Sequence, residues 1–225
     1  MVTLSIIVPV LNEAPRLTWL LPYLEAIAPE AQLIVVDGGS VDKSHDAALP
    51  FATVVDAARG RGVQMNAGAA IANGDVLWFV YADTHPRPDS VDALVESMEN
   101  PKVVGGAFEY VLDAPGQHYR LLERCSNVKN RMFRQIYGDM GIFVRRSVFE
   151  KLGGFAPLPL MEDVDFCRQL KQEGKVVVLP QAIKTSARRW LEEGFIRYTM
   201  KRRLLQTAWR LGVPAQKLVK FYRSF

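Results

Sequence analysis

Hydrophobic positions along the chain alternate between two periods. Short apolar, β-branched runs of strand length stand at 4–8, 32–36, 53–55, 76–81, 103–111, 138–144 and 175–179. Between them apolar residues return every three or four positions, the period of a helix with one buried face. Leu17, Leu20, Leu21 and Leu24 predict a helix to Ile27, capped by Asn12 or Glu13 with Pro15 near its first turn. Residues 64–72 form a helix of small side chains, and Asp89 caps another through Met98. A long helix over 118–136 places Leu121, Leu122, Cys125, Val128 and Met132 on one face. Ser147 caps a short helix ending at Gly153-Gly154, and a last one before the tail runs to Glu173 with Leu170 in its buried stripe. Pro9 is expected to stop the first strand. Strands alternating with helices predict an α/β fold.

The run 76–81 is the most hydrophobic of these. Six apolar residues entered through Gly74-Asp75 read as a strand buried on both faces. It delivers a lone carboxylate, Asp83, to the sheet edge where open α/β sheets bind ligands. Asp83 reads equally as the start of a turn before Pro86 and Pro88. The second strand also ends in an acid, Asp37, before a Gly38-Gly39-Ser40 turn, and Asp42 can start another helix.

Two further stretches carry chemistry. Arg59-Gly60-Arg61-Gly62 is a flexible basic loop ahead of the thin helix, whose amino end can face an anion. It lacks the third glycine of a dinucleotide fingerprint and the Gly-Lys-Ser/Thr of a P-loop, so a phosphate site and a solvated turn both remain open. Glu162, Asp163 and Asp165 lie within four residues at the start of a helix. Acids there complement the helix dipole, or one of them faces a cleft.

Composition narrows the class. At 225 residues, 49% hydrophobic, the chain fits one domain with a small extension. No apolar run approaches the roughly 18 residues of a membrane span. No basic segment precedes the first apolar run, so no signal peptide is expected. Two cysteines without a CxxC or a nearby histidine point to a reducing, cytoplasmic compartment and no zinc.

The net charge of +4 conceals an asymmetry. Residues 184–225 carry +9, leaving −5 for 1–183. The boundary therefore separates a 1–183 body from a basic helical extension, 184–225, which suits a polyanionic partner. From Arg188 the extension looks helical to about Leu211, breaks at Gly212-Val213-Pro214 and resumes to Phe225. Trp190, Phe195, Tyr198, Trp209, Phe221 and Tyr222 are interleaved with Arg189, Arg197, Lys201, Arg202 and Arg203. Such a segment suits a membrane interface, with packing on the sheet as the alternative. No motif of a nucleic-acid reader accompanies the charge, so nucleic acid is not expected as a partner.

The order and spacing of several pieces resemble family 2 glycosyltransferases of the GT-A fold, in particular a short bacterial branch. The pieces are Ile6-Ile7-Val8-Pro9-Val10-Leu11-Asn12-Glu13, Val35-Val36-Asp37-Gly38-Gly39-Ser40-Val41-Asp42, Gln64-Met65-Asn66-Ala67-Gly68, Gly74-Asp75-Val76-Leu77, Ala82-Asp83-Thr84, and Gly153-Gly154-Phe155 followed by Met161-Glu162-Asp163. The resemblance runs from Ser5 to about Leu218. It implies a GT-A-like, mostly parallel sheet, a nucleotide-sugar donor, and sugar transfer with inversion. It places Pro9, Glu13 and Asp37 in the nucleotide pocket, and Arg61, Gln64 and Asn66 near the base or diphosphate. Asp83 matches the last acid of the Asp-x-Asp element that holds Mg²⁺ or Mn²⁺ on the diphosphate. Asp163 matches the catalytic base, with Glu162 beside it, and Gly154, Phe155 and Trp190 fall on the acceptor side.

Those roles are chemically coherent. Inversion is one in-line displacement, which needs a base within hydrogen-bond reach of the acceptor hydroxyl, worth about 10²–10⁴-fold in rate. The departing diphosphate develops charge that a divalent cation can neutralise. Three departures bear on the reading. Tyr81 replaces the first acid of Asp-x-Asp, so metal binding rests on Asp83, with His85 as a supplement. Gly38 replaces the second acid of a common Asp-Asp pair, which bears on base recognition. Ser186 precedes Ala187-Arg188-Arg189-Trp190 where processive relatives carry Gln or Arg, a partial match, and with no membrane span to conduct a polymer a single transfer is expected. The expected setting is the inner membrane face, with a lipid-linked acceptor. A nucleotidyltransferase is disfavoured by Pro9-Val10-Leu11-Asn12-Glu13 standing where a Gly-rich phosphate loop is wanted. A non-catalytic nucleotide-binding module draws support from Tyr81 and is opposed by the Glu162-Asp163 pair.

Overall fold

The computed structural model describes residues 2–223. Four parallel strands form one half of an eight-stranded sheet: β1 (Leu4–Val10), β2 (Gln32–Asp37), β3 (Thr53–Asp56) and β4 (Val76–Phe79). Between them run α1 (Ala14–Ile27), α2 (Ser44–Ala48) and α3 (Arg61–Ile71). The other half is mixed: β6 (Val103–Leu112) and β8 (Lys175–Thr185) are parallel, β7 (Phe143–Arg145) lies antiparallel between β4 and β6, and β5 (Thr84–His85) closes the far edge against β8. The order across the sheet is β3-β2-β1-β4-β7-β6-β8-β5. Helices α4 (Ser90–Glu99), α5 (Gln117–Phe133), α6 (Arg146–Leu152) and α7 (Glu162–Glu173) complete the body. The tail forms α8 (Arg188–Glu193), α9 (Phe195–Arg210) and α10 (Ala215–Arg223).

Side chains alternate across the sheet and feed two cores. Ile6, Val8 and Trp78 pack with Leu17, Leu20, Leu21 and Leu24 of α1 on one face. Ile7, Leu77 and Phe79 pack with Met65 of α3 and Phe166 of α7 on the other. Every residue of β4 is buried, as a strand covered on both faces requires. Helix α3 approaches β1 closely because Gly68 has no side chain: a Cβ there would stand 2.5 Å from Ile7 Cγ2.

Several expectations change. Pro9 does not stop β1, which continues to Val10 with Pro9 paired to Val36. Ile7, two residues earlier and so facing the same neighbour, accepts from Val80 N–H just past the end of β4. The missing Pro9 N–H therefore falls beyond that strand's ladder, where proline is tolerated. The strand at 76–81 ends at Phe79, and 138–144 divides into a 3₁₀ turn (Gly138–Met140) and β7. Helix α3 begins at Arg61, so the basic loop is partly helix. The expected boundary at 183/184 falls inside β8, and Trp190 and Tyr198 belong to the main core.

The largest reversal is α5. Leu121, Val128 and Met132 are exposed, and its buried residues are Tyr119, Glu123, Asn127 and Asn130. Strand β7 pairs β6 only at Gly105 and Gly106, so the far end of β6 lacks strand partners on that side. Side chains of α5 replace them. Asn127 Oδ1 accepts from Tyr110 N–H (3.2 Å), Asn127 Nδ2 donates to Tyr110 O (2.9 Å), and Glu123 Oε1 accepts from Leu112 N–H (2.7 Å). Buried backbone groups must be paired, and that requirement outweighs the apolar stripe.

Urea unfolding tests this orientation. Asn127→Ala leaves two buried backbone groups unpaired and is expected to cost about 2–4 kcal/mol. Leu121→Ser is expected to change stability by less than about 0.5 kcal/mol. The reverse ranking would mean that α5 packs by its apolar face.

Candidate active site

The α7 amino end is the centre of the site. Met161, its N-cap residue, holds a left-handed φ of 69°, uncommon for a side chain with a Cβ. Its side chain is anchored in a small apolar cluster with Leu205 of α9 and Leu218 of α10. The tail thus helps hold the turn that presents Glu162 and Asp163 to a cavity of about 170 Å³. Asp163 Oδ2 accepts from Gly138 N–H (2.9 Å) and Oδ1 from Val164 N–H (2.8 Å). Gly138 must be glycine, because a Cβ there would lie 1.9 Å from Tyr81 Oη.

Around the two acids the cavity gathers Arg61 from the start of α3, Tyr81 and Asp83 from beyond β4, and Tyr137 and Asp139 from the 3₁₀ turn. Trp190 of α8 and Tyr198 and Arg202 of α9 close it. The Arg61 guanidinium lies 5.2 Å from the centre of the Tyr81 ring. Tyr81, Glu162, Asp163 and Asp83 around it hold it firmly in its charged form against the effect of burial. Burial, reinforced by the Asp163 charge, lifts Glu162 from its ordinary 4.5 to about 7, with Arg61 opposing. Burial also raises Asp163, while the Gly138 and Val164 N–H groups pull it back. Two desolvated, adjacent carboxylates face one cation across a cavity, an arrangement suited to accepting a proton near neutral pH.

The residues expected in a nucleotide pocket are gathered elsewhere, at the carboxyl ends of β1 and β2. Pro9 lies in β1, and Glu13 pairs with Arg16. Asp37 Oδ1 accepts from Gly39 and Ser40 N–H and shapes the turn after β2. Gln64 Nε2 donates to Val10 O (2.8 Å) and Val36 O (3.0 Å), fastening β1 to β2. Asn66 clamps both backbone groups of Phe155, at 2.9 and 2.8 Å. Gln64 and Asn66 therefore direct their amides to the scaffold.

Two residues expected on the acceptor side lie in the scaffold. Phe155 is 1% exposed and packs against Phe79, Phe149 and Phe166, and Gly154 takes φ 76° under the Asn66 clamp. Both support the chain leading to α7 and neither lines the cavity. Trp190 packs and lines it at once: it is 5% exposed, donates from Nε1 to Thr199 Oγ1 (3.1 Å), and carries Arg202 over its ring at 4.9 Å. Tyr137, Asp139, Tyr198 and Arg202 have no motif of their own: the turn before β7 brings the first two to the cavity and the folded-back tail brings the last two.

Asp83 supplies a single carboxylate, and among the described residues no three His, Cys, Asp or Glu side chains converge as a metal site. This donor set fits a hard divalent cation carried on a diphosphate, whose phosphate and water oxygens complete the shell. The His85 ring is stacked on Trp19 at 3.6 Å, beside Asp83 in a neighbouring recess.

Comparison with known proteins agrees with the fold. The profile described as Glycosyl transferase family 2 matches residues 5–153. Glycosyltransferase AglE of Haloferax volcanii is 26% identical over 67% of this chain and 55% of its own length. The probable glycosyltransferase YdaM of Bacillus subtilis is 27% identical over 60% of this chain and 37% of its own. The chain thus spans about half or less of the curated relatives it matches. A mannosyltransferase from Pyrobaculum calidifontis, solved with GDP-Man and Mn²⁺, superposes with a TM-score of 0.64 at 18% identity, covering 81% of this chain and 56% of that one. Glucosyl-3-phosphoglycerate synthase from Mycobacterium tuberculosis, solved with Mn²⁺, UDP and its product, superposes with a TM-score of 0.64 at 21% identity, covering 95% and 81%. These likenesses show the GT-A fold.

The raised Glu162 predicts a pH dependence. A carboxyl whose folded pKa lies above its unfolded value stabilises the protein below about 4.5, and that contribution is lost as pH rises through about 7. Glu162→Gln is therefore expected to raise stability at pH 8 by on the order of 1–3 kcal/mol and to leave it unchanged at pH 4. Thermal unfolding at the two pH values checks this, and an equal shift at both would contradict it.

Proposed function

The chain belongs to glycosyltransferase family 2, and on that premise we propose that it transfers a sugar, with inversion, from a nucleotide-diphosphate donor to an acceptor hydroxyl. The observation that carries the reading is Asp163, oriented by Gly138 N–H and set across one cavity from Arg61 and Asp83. Asp163 accepts the proton of the attacking hydroxyl, and the two N–H donors keep its oxygens aimed. Glu162 keeps the pair's surroundings negative and can share the proton. Arg61 meets the charge that develops on the leaving diphosphate. Asp83 would hold Mg²⁺ or Mn²⁺ there, and the cation supplies further neutralisation of that leaving group. The nucleotide extends over the carboxyl ends of β1 and β2, beside Pro9, Glu13 and Asp37, with Gln64 keeping that edge rigid. The GDP-Man and UDP complexes of the structural neighbours, with Mn²⁺, support a nucleoside-diphosphate donor with a divalent cation.

Trp190 and Arg202 form the acceptor wall. The basic tail and its exposed apolar residues support a membrane-borne, lipid-linked acceptor met by peripheral contact through 188–225 at the inner membrane face. No helix of the described residues is long and apolar enough to cross a membrane. The one observation favouring a non-catalytic binding module is Tyr81 in place of an acid.

Calorimetric titration with nucleoside diphosphates and their sugars, with and without Mn²⁺, tests the donor reading. One diphosphate nucleotide is expected to bind, more tightly with metal. Asp83→Asn should weaken the metal-dependent binding by about 10–100-fold. Binding indifferent to both would remove Asp83 from the metal, and no binding to any nucleotide would contradict the donor assignment.

A further inference from the structure

Behind the acceptor wall a second cavity of about 90 Å³ lies between α5 and α9. Lys129 of α5 and Arg203 of α9 line it, and Tyr137 and Arg202 form the partition shared with the catalytic cavity. Burial and the nearby charges of Arg210, Arg203 and Arg202 depress Lys129 below the ordinary lysine range. Among the described residues Lys129, Arg203 and Arg210 have no acidic partner, whereas Arg202 is paired with Asp139. Two further polar atoms at this place are buried without a partner: Tyr137 Oη, on a residue 7% exposed, and Asn130 Oδ1. A crowd of cations beside an unpartnered phenol is a costly arrangement that a phosphate would relieve.

The two helices that form the groove carry exposed apolar residues beside it. Leu121, Val128 and Met132 of α5 are exposed along one stripe with Cys125, which also lines the groove. Ile196, Met200 and Leu204 form the matching exposed stripe of α9. Helix α9 contains no acid, and the one acid of α5, Glu123, is turned inward. Exposed apolar stripes flanking unpaired basic residues fit an anionic amphiphile. A second copy docked on the same face would bring like charges together, which disfavours self-association.

We propose that the α5–α9 groove seats the phosphate of an anionic membrane lipid, with the two apolar stripes entering the interface on either side. The proposal deepens the peripheral-membrane part of the reading above, is independent of the transfer chemistry, and adds α5 to the basic tail as the docking face. It also sets the docked lipid behind the Tyr137–Arg202 partition, one wall away from Asp163.

Flotation of the full chain with vesicles tests it, using phosphatidylcholine alone and phosphatidylcholine with phosphatidylglycerol. Wild type is expected to float with the anionic vesicles only. Lys129→Ala/Arg203→Ala should weaken that binding about thirtyfold, at about fivefold per basic residue. Met132→Ser/Met200→Ser should weaken it severalfold while leaving the charges intact. Nucleotide affinity, measured in parallel, should stay unchanged in both variants, so a failure of the donor reading and a failure of lipid docking show in different assays. No flotation would overturn the proposal, as would equal flotation of wild type and Lys129→Ala/Arg203→Ala. Protection by inorganic phosphate without flotation would make the groove a free-anion site. A dimer that Met200→Ser dissolves would make the face a contact between copies. Each of those results would overturn the lipid assignment.

Discussion

Two adjacent carboxylates at the start of α7 are held out of water, and much of the structure serves that constraint. Desolvated like charges raise each other's pKa and cost folding free energy. Glu162 and Asp163 persist because three supports converge on them. Gly138 and Val164 donate N–H groups to Asp163, Arg61 supplies the opposing charge, and Met161 holds a left-handed turn that aims both acids inward. The helix dipole adds a smaller favourable term at the same end.

The supports come from distant parts of the chain, and the sheet brings them into register. The parallel half delivers Asp83 and Tyr81 past the end of β4 and sets α3 so close to β1 that Arg61 reaches the cavity. Strand β7 reverses direction beside β4, which carries the Gly138–Met140 turn to the same edge as Asp83. Tyr81 then acts as a spacer: its ring lies under Arg61 and its hydroxyl abuts Gly138, where a Cβ would not fit. Tyr81 therefore also shapes the wall that orients Asp163.

Local patterns made part of this legible. A fully apolar strand ending in Asp83, and acids opening a helix at Glu162-Asp163, are signals contained in a few consecutive residues. So was the alternation that builds two cores on one sheet. What the sequence concealed depends on partners far away. Helix α5 looked apolar-face-in because hydrophobic spacing was the visible signal, whereas its orientation is decided by Tyr110 and Leu112, backbone groups stranded by the shortness of β7. Gln64, Asn66 and Phe155 sit in motif-like stretches, yet they serve as a bracket, a clamp and a core ring. Tyr137 and Asp139 reach the cavity through the return of β7 beside β4, Arg202 only after the tail folds back, and no spacing along the chain reports either.

The tail thereby has two faces. Its inner residues Trp190, Tyr198 and Leu205 line the cavity around Glu162 and Asp163, Leu205 also braces Met161, and its outer residues are basic and apolar. The most direct measurement concerns Asp163 itself. With the donor that binds, release of nucleoside diphosphate by Asp163→Asn would be followed alongside its donor affinity. Loss of turnover by about 10²–10⁴-fold with affinity retained is the result expected of a base oriented by Gly138. Turnover near that of the wild type would show that the proton goes elsewhere and would contradict the role assigned to this acid.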